Sequence, residues 1–479
     1  MRPTVVMRYV GLILLLGAAG MFASAIIGML LDGHAVPVLL ISSVLVACFG
    51  AFPMVFVPRV KEFMPRESLA VVALGWLAMS VAGALPYLLW GSPFNLINAL
   101  FESMSGFTTT GATILRNIEV LPAGLLFWRS MTHWIGGVGI VVLALAVFPS
   151  LGSGGRSLMR AEASPVALGP KVARARDVAQ IVLYVYVGLT ALETLSLMVA
   201  GLPFFDASTT AFGTIATGGF SVRNASIAAY NSVAVESIVM LFMVLSGVNF
   251  ALLFGFLVSR ERPQGGTTTA FTYLGILAVS TFIVSLDLHA RHFGTWGETI
   301  RHGAFQVISI GTSSGFATTD SSIWPGGSQA ILMVLALICA SAGSTSGGIK
   351  VDRVVLFWKL LRARLYSLGH PDSIVTIRVE NKVIPADSVR NAMFFVVSYL
   401  VGVVLASLAV ALTGTPLVES VSGTIACIGN VGPGLGTVGS VGNYAGLDPL
   451  AKLILAGVMV FGRLEIYPIL LLLSRRFWR

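Results

Sequence analysis

The sequence predicts an all-α integral membrane protein. It has four membrane–pore-loop–membrane repeats around a pseudo-fourfold pore, preceded by an N-terminal helical hairpin, with about ten spanning helices in all. Three observations predict this. First, 56% of the 479 residues are hydrophobic and 11% are charged, against about a quarter charged in a soluble domain. Second, apolar stretches of roughly 20 residues, enough to cross a bilayer, recur along the whole chain. Third, a short polar segment bearing glycine occurs four times at intervals of about a hundred residues, a period that marks copies of one unit.

The four segments are Thr108-Thr109-Thr110-Gly111-Ala112-Thr113, Ile215-Ala216-Thr217-Gly218-Gly219-Phe220-Ser221, Thr312-Ser313-Ser314-Gly315-Phe316-Ala317-Thr318 and Gly429-Asn430-Val431-Gly432-Pro433-Gly434. Each follows a short amphipathic stretch and lies between two apolar spans. Irregular backbone at membrane depth survives only if it is buried in protein or lines a water-filled path. Rings of backbone carbonyls replace the hydration shell of a desolvated cation. Glycine permits positive φ and close approach to an ion. The expected ligands are therefore the carbonyls of Thr109, Thr110 and Gly111; of Ala216, Thr217 and Gly218; of Ser313, Ser314 and Gly315; and of Asn430, Val431 and Gly432. Ordinary Gly/Thr turns would explain one copy, but not four in register.

Taken in order, the spans fall at 9–31 and 36–57 (the hairpin), 68–90 and 124–149, 178–201 and 231–259, 268–288 and 328–349, and 387–412 and 449–474. The corresponding units are 1–66, 67–150, 151–262, 263–365 and 366–479. The basic start, Arg2 to Arg8, imitates a signal peptide, but the run after it is long enough to span and is read as an uncleaved helix. A net charge of +9 would point to nucleic acid in a soluble chain. Here most Lys and Arg sit in the loops on one side: Arg59, Lys61 and Arg66, the linker 150–177, Arg260 and Arg262, the linker 350–385 and the tail 475–479. Only Arg116, Arg129, Arg223, Arg291 and Arg301 fall on the other side, with Lys452 and Arg463 in or near the last span. That asymmetry predicts cytoplasmic termini, outward-facing glycine loops and no nucleic-acid partner. Cys48, Cys339 and Cys427 are far apart in apolar contexts, so packing is their expected role.

The short stretches before the loops read as helices that aim their negative ends at the axis, which favours a cation. Glu102, Asp206 and Glu419 lie in them, as helix-start acids or as a negative outer vestibule. Two features break the repeat. Ser341-Ala342-Gly343-Ser344-Thr345-Ser346-Gly347-Gly348 interrupts the second span of repeat three, and Lys350 follows. Its length and position favour a mobile constriction below the loops over a close-packing face of small residues. Arg463 sits near the middle of the last span, where a charge is costly and functional by default. Positions two apart on a helix do not face each other, so its expected partner is interhelical rather than Glu465.

Together these residues identify a family. The chain resembles the TrkH/TrkG/KtrB/HKT superfamily of potassium transporters, and its TrkH branch in particular. The strings that carry the resemblance are the four loops, His133-Trp134-Ile135-Gly136-Gly137, Ala342-Gly343-Ser344-Thr345 and Phe461-Gly462-Arg463-Leu464-Glu465. The resemblance implies a pore in each protomer of a homodimer in the bacterial inner membrane. It implies K⁺ as the transported ion, with no organic cofactor in this chain. A TrkA-type cytoplasmic ring would carry the nucleotide and gate the pore. The family's filter glycines map onto Gly111, Gly218, Gly315 and Gly432, its gating loop onto Ser341–Gly348 and its pore arginine onto Arg463. Plant relatives that favour sodium have Ser in place of the first Gly, so four glycines point to potassium. Ser346 departs from the TrkH pattern, which has Gly there; the departure bears on the stiffness of the gate and not on its existence.

Two rivals remain. Gly311-Thr312-Ser313-Ser314-Gly315 fits the hydrolase pattern G-x-S-x-G, with His302 or His133 as base, but that motif needs a strand–turn–helix elbow. A proton- or sodium-coupled potassium symporter would favour broken helices around a midplane site, and no chain of buried Asp or Glu is evident for a proton relay.

Overall fold

The computed structural model of the protein describes residues 1–58, 64–147, 175–256, 266–373, 376–380 and 382–474. The expectations placed on Arg59, Lys61, most of the linker 150–177, Arg260, Arg262 and the tail 475–479 lie outside them.

The hairpin is two long helices, Pro3–Leu31 and Val36–Phe56. Each has a proline in its first turn, where a missing N–H leaves no bond unmade. One face, with Ala18, Met21, Ala25 and Leu39, shares a core with Trp128 and Ile135 of repeat one. Phe22, Met29, Leu30 and Phe49 are exposed on the other, as expected where the surroundings are acyl chains.

Each repeat then has an outer helix, a short pore helix, a loop and an inner helix. The outer helices are Pro65–Gly83 (extended by Leu85–Trp90), Ala175–Val199, Thr267–Ala290 and Ala386–Ala411. Among the described residues, six helices are long and apolar enough to cross a membrane: the hairpin pair and these four. The pore helices are Leu96–Phe107, Phe204–Ile215, Trp296–Gly311 and Leu417–Ile428. The third is 16 residues long and the others 12.

The inner helices depart from expectation. Only the first, Ala123–Val147, is continuous. The second is Val233–Ser246, interrupted at Gly247–Asn249 and resumed as Phe250–Phe254. The third ends at Ile338 and resumes as Val351–Gly369. The fourth, Pro449–Arg463, resumes as Tyr467–Leu473 after Glu465 (φ 54°) and Ile466 (φ 66°). The unbroken spans expected at 231–259 and 449–474 are therefore each two helices. The breaks can sit inside the protein because freed backbone groups find partners across them. Ser341 N–H donates to the Gly247 carbonyl at 3.1 Å, and Phe250 N–H to the Gly343 carbonyl at 3.1 Å. The expected linker at 350–385 is largely the helix Val351–Gly369, which runs through the division placed at 365/366. An antiparallel ribbon pairs Arg378 with Val383 and Val379 with Lys382.

Candidate functional site

All four pore helices end in the same way. Thr109 N–H donates to the Gly106 carbonyl and Thr110 N–H to that of Ser105, the two bonds of a Schellman motif. The motif recurs at Thr217 and Gly218, at Ser313 and Ser314, and at Asn430 and Val431. Its first residue is left-handed every time: φ is 53° at Thr109, 53° at Thr217, 58° at Ser313 and 52° at Asn430. A non-glycine residue costs about 1–2 kcal/mol in that region, so the surrounding contacts impose this geometry four times. Two residues later comes a positive-φ glycine: Gly111 (82°), Gly219 (74°), Gly315 (77°) and Gly432 (95°).

This register corrects the alignment of loop two. Gly219, not Gly218, stands where Gly111, Gly315 and Gly432 stand. Gly111, Gly219, Gly315 and Gly432 also line one small cavity together. Gly218 instead lies against the His133 ring. By the same register, Ala216 is equivalent to Thr108.

The loops close a ring. A β-carbon built on Gly111 would overlap the Gly218 carbonyl oxygen, one on Gly219 that of Ser314, one on Gly315 that of Val431, and one on Gly432 that of Thr110. Loop one thus meets loop two, two meets three, three meets four, and four returns to one. Asn430 Nδ2 donates to Thr110 Oγ1 at 3.0 Å across the closing contact. Buried backbone carbonyls are almost always paired. Here those of Thr109, Thr110, Thr217, Gly218, Ser313, Ser314, Asn430 and Val431 accept no hydrogen bond among the described residues. Two sites on the expected list differ: the Gly432 carbonyl accepts from Tyr444 (2.8 Å), and that of Ala216 from Thr217 Oγ1 (2.7 Å). A closed ring of unpaired carbonyls, at the negative ends of four helices, is suited to a dehydrated cation.

Of the acids before the loops, Asp206 and Glu419 lie in the first turns of their pore helices, as helix-start acids. Glu102 is fully buried at mid-helix. It accepts from Arg129 Nε (2.6 Å), from Thr113 Oγ1 (2.8 Å) and from Ile114 N–H (2.9 Å). Arg129, expected on the outer side, is 2% exposed, donates to the Ser221 carbonyl and lies 3.6 Å from the centre of the Phe220 ring. Pore helix one, its filter strand and loop two are thus braced from behind. Asp206 pairs with Arg223 at 2.9 Å.

Below the loops, Ser341–Gly348 is non-helical, with Gly343 (81°) and Gly348 (74°) left-handed. It touches two other repeats, the second and the fourth. Thr345 Oγ1 donates to the Ile215 carbonyl (2.9 Å), and Asn249 Nδ2 donates to the Ala342 carbonyl (2.8 Å). Gly347 packs under Gly429 and Asn430. Arg463 is 3% exposed and donates to the carbonyls of Thr345 (2.5 Å) and Gly136 (3.1 Å). Its partners are interhelical, as its position required. Glu465 pairs with Lys350 (2.7 Å) and Arg353 (2.5 Å). Asn249 is a contributor that the sequence reading did not single out, though the run Ser246-Gly247-Val248-Asn249 inside an apolar span was the available signal, and Glu465 entered that reading without its partners Lys350 and Arg353.

Ser313 is no hydrolase nucleophile. It follows a helix rather than a strand, and its counterparts are Thr109, Thr217 and Asn430.

An all-α membrane protein whose four pore loops close one ring of unpaired carbonyls has the architecture of a cation transport protein. The chain matches the model of the TrkH family, described as cation transport protein, over residues 36–264 and 262–478. It belongs to that family, a family of transport proteins rather than enzymes. It is 36% identical to the Trk system potassium uptake protein TrkH of Salmonella typhimurium, over 87% of each chain. It is 34% identical to the TrkH of Vibrio parahaemolyticus, over 99% of each. It is 32% identical to the TrkG of Escherichia coli, over 87% of this chain and 86% of that one. The crystal structure of the potassium transporter TrkH from Vibrio parahaemolyticus superposes with a TM-score of 0.89 at 32% identity, covering all of both chains.

Proposed function

We propose that this protein is a channel-like potassium uptake protein of the bacterial inner membrane with both termini in the cytoplasm. The observation that carries the reading is the closed ring of unpaired carbonyls from Thr109–Thr110, Thr217–Gly218, Ser313–Ser314 and Asn430–Val431. The relatives' names, potassium uptake proteins, supply the ion. K⁺ enters from outside and sheds water against these carbonyls. It then meets a constriction of Ser341–Gly348 and Arg463, which forms the gate. The membrane potential drives entry with about 2.3 kcal/mol per elementary charge per 100 mV. The working unit is a homodimer seated in lipid, and a TrkA-type nucleotide-binding ring docks on its cytoplasmic face and moves the gate.

Ion flux in proteoliposomes containing only this protein tests the reading. Potassium flux that follows an imposed voltage without a proton or sodium gradient is the expected result. Flux that starts only when such a gradient is added would replace the channel with a coupled symporter.

A further inference from the structure

Glu193 lies in the outer helix of repeat two, six residues before its end at Val199 and thus about 9 Å along the axis from that end. It is completely buried, and neither carboxylate oxygen has a hydrogen-bond partner among the described residues. The polar side chain that interacts with it is Thr214, in the last turn of pore helix two. The Thr214 hydroxyl already donates its one hydrogen to the Thr210 carbonyl at 2.9 Å. While it makes that bond it accepts from a neutral Glu193 carboxyl, whereas an ionised carboxylate would have to draw the hydrogen away from Thr210.

The other titratable and charged groups on the helices packed against this one are engaged elsewhere. On inner helix one, Arg129 pairs with Glu102, and His133 Nδ1 meets the Gly106 carbonyl at 2.8 Å. On pore helix two, Asp206 pairs with Arg223. On inner helix two, Glu236 pairs with Arg301 at 2.6 Å, and the segment Phe250–Phe254 is apolar throughout. On the helix itself, the Tyr186 hydroxyl donates to the Trp134 carbonyl at 2.9 Å. Burying a lone carboxylate costs several kcal/mol. A neutral carboxyl avoids that cost and completes the one bond available.

We infer that Glu193 is a proton-binding site behind the filter. Its carboxylic acid donates to Thr214 Oγ1 and so latches the outer helix of repeat two to pore helix two. Thr214 is well placed to transmit this, because its own carbonyl accepts from the left-handed Thr217 N–H at 3.0 Å. The site lies outside the proposed ion path, and its ligand is H⁺.

Infrared difference spectroscopy of the full-length protein in lipid tests it, and reads the proton whichever cation the protein carries. At neutral pH, a protonated-carboxyl band should be present in the wild type and lost in Glu193→Gln. Its absence would overturn the site. Thr214→Val should move the band to the position of a carboxyl without a hydrogen-bond acceptor. A band that does not move would overturn the latch. In proteoliposomes, Glu193→Gln should keep cation flux within about twofold, since its amide donates to the same oxygen. As pH is raised, wild-type flux should fall over the range where the band disappears, by up to about tenfold per pH unit for a single proton. Glu193→Gln should not follow it. A decline shared by both proteins would overturn the link between this proton and the filter.

Discussion

At the scale of single residues, the site is a set of geometries forced on side chains that would not choose them. Gly111 is left-handed, and a β-carbon there would overlap the Gly218 carbonyl. Gly111→Ser is therefore expected to displace loop two as well as loop one. The potassium-over-sodium permeability ratio should drop by about tenfold, the equivalent of 1.4 kcal/mol; an unchanged ratio would remove Gly111 from the filter. Gly219→Ala should behave in the same way, because its β-carbon meets the Ser314 carbonyl. If Gly219→Ala leaves selectivity intact, the sequence alignment that put Gly218 in this position regains its claim. Arg463 is proposed to act by charge. Its guanidinium holds the Thr345 carbonyl of the proposed gate, so truncation removes both a positive barrier and an anchor. Arg463→Ala is expected to raise basal flux about tenfold, or about 1.4 kcal/mol off the barrier. A fall, or no change in a well-folded variant, would end the barrier role.

At the scale of elements, pore helix one depends on a brace that spans four pieces of chain. Glu102 joins its own helix to Thr113 and Ile114 of the strand beyond the filter and, through Arg129, to the Ser221 carbonyl of loop two. Removing one member of a buried ion pair leaves an uncompensated charge and costs about 3–5 kcal/mol. Glu102→Gln should lower the unfolding free energy in detergent by that amount, and Glu102→Gln with Arg129→Met should recover much of it. A single substitution with no effect on stability would mean that the pair holds nothing in place. This brace was only half legible. Glu102 stands out in the sequence as an acid near a loop, but twelve residues of amphipathic helix do not reveal which face turns to the protein. The broken inner helices were hidden for a related reason. Ser341–Gly348 is long and polar enough to be read as a break, whereas Gly247–Asn249 and Leu464–Ile466 are three residues each inside apolar runs. The partners of both breaks are tertiary: the bonds from Ser341 to Gly247 and from Phe250 to Gly343 exist only once repeats two and three are side by side, and Glu465 of the other break pairs with Lys350 and Arg353 of repeat three.

At the scale of the whole molecule, hydropathy was sufficient for the class, an all-α membrane protein, because in a bilayer a spanning segment must be long, apolar and internally hydrogen-bonded. The ring was legible to within one residue. Thr217-Gly218 imitates Thr110-Gly111 as a string, and only the backbone, left-handed at Thr217 and Gly219, chooses the other register. Orientation is the remaining property of the whole chain, and it rests on charge. The helix Val351–Gly369 carries Lys359, Arg362 and Arg364, and the turn between the two hairpin helices, at residues 32–35, carries no Lys or Arg. An excess of Lys and Arg marks the cytoplasmic side. His34 in that turn and Asp372 beyond the basic helix are both exposed. With the free cysteines Cys48, Cys339 and Cys427 replaced, His34→Cys should react with a membrane-impermeant thiol reagent on intact spheroplasts. Asp372→Cys should react only after permeabilisation. The reverse pattern would invert the molecule, point the carbonyl ring at the cytoplasm and put the proposed gate on the outer side of it. Labelling of both positions from one side would break the topology itself, since the hairpin turn and the basic helix would then share a face of the membrane.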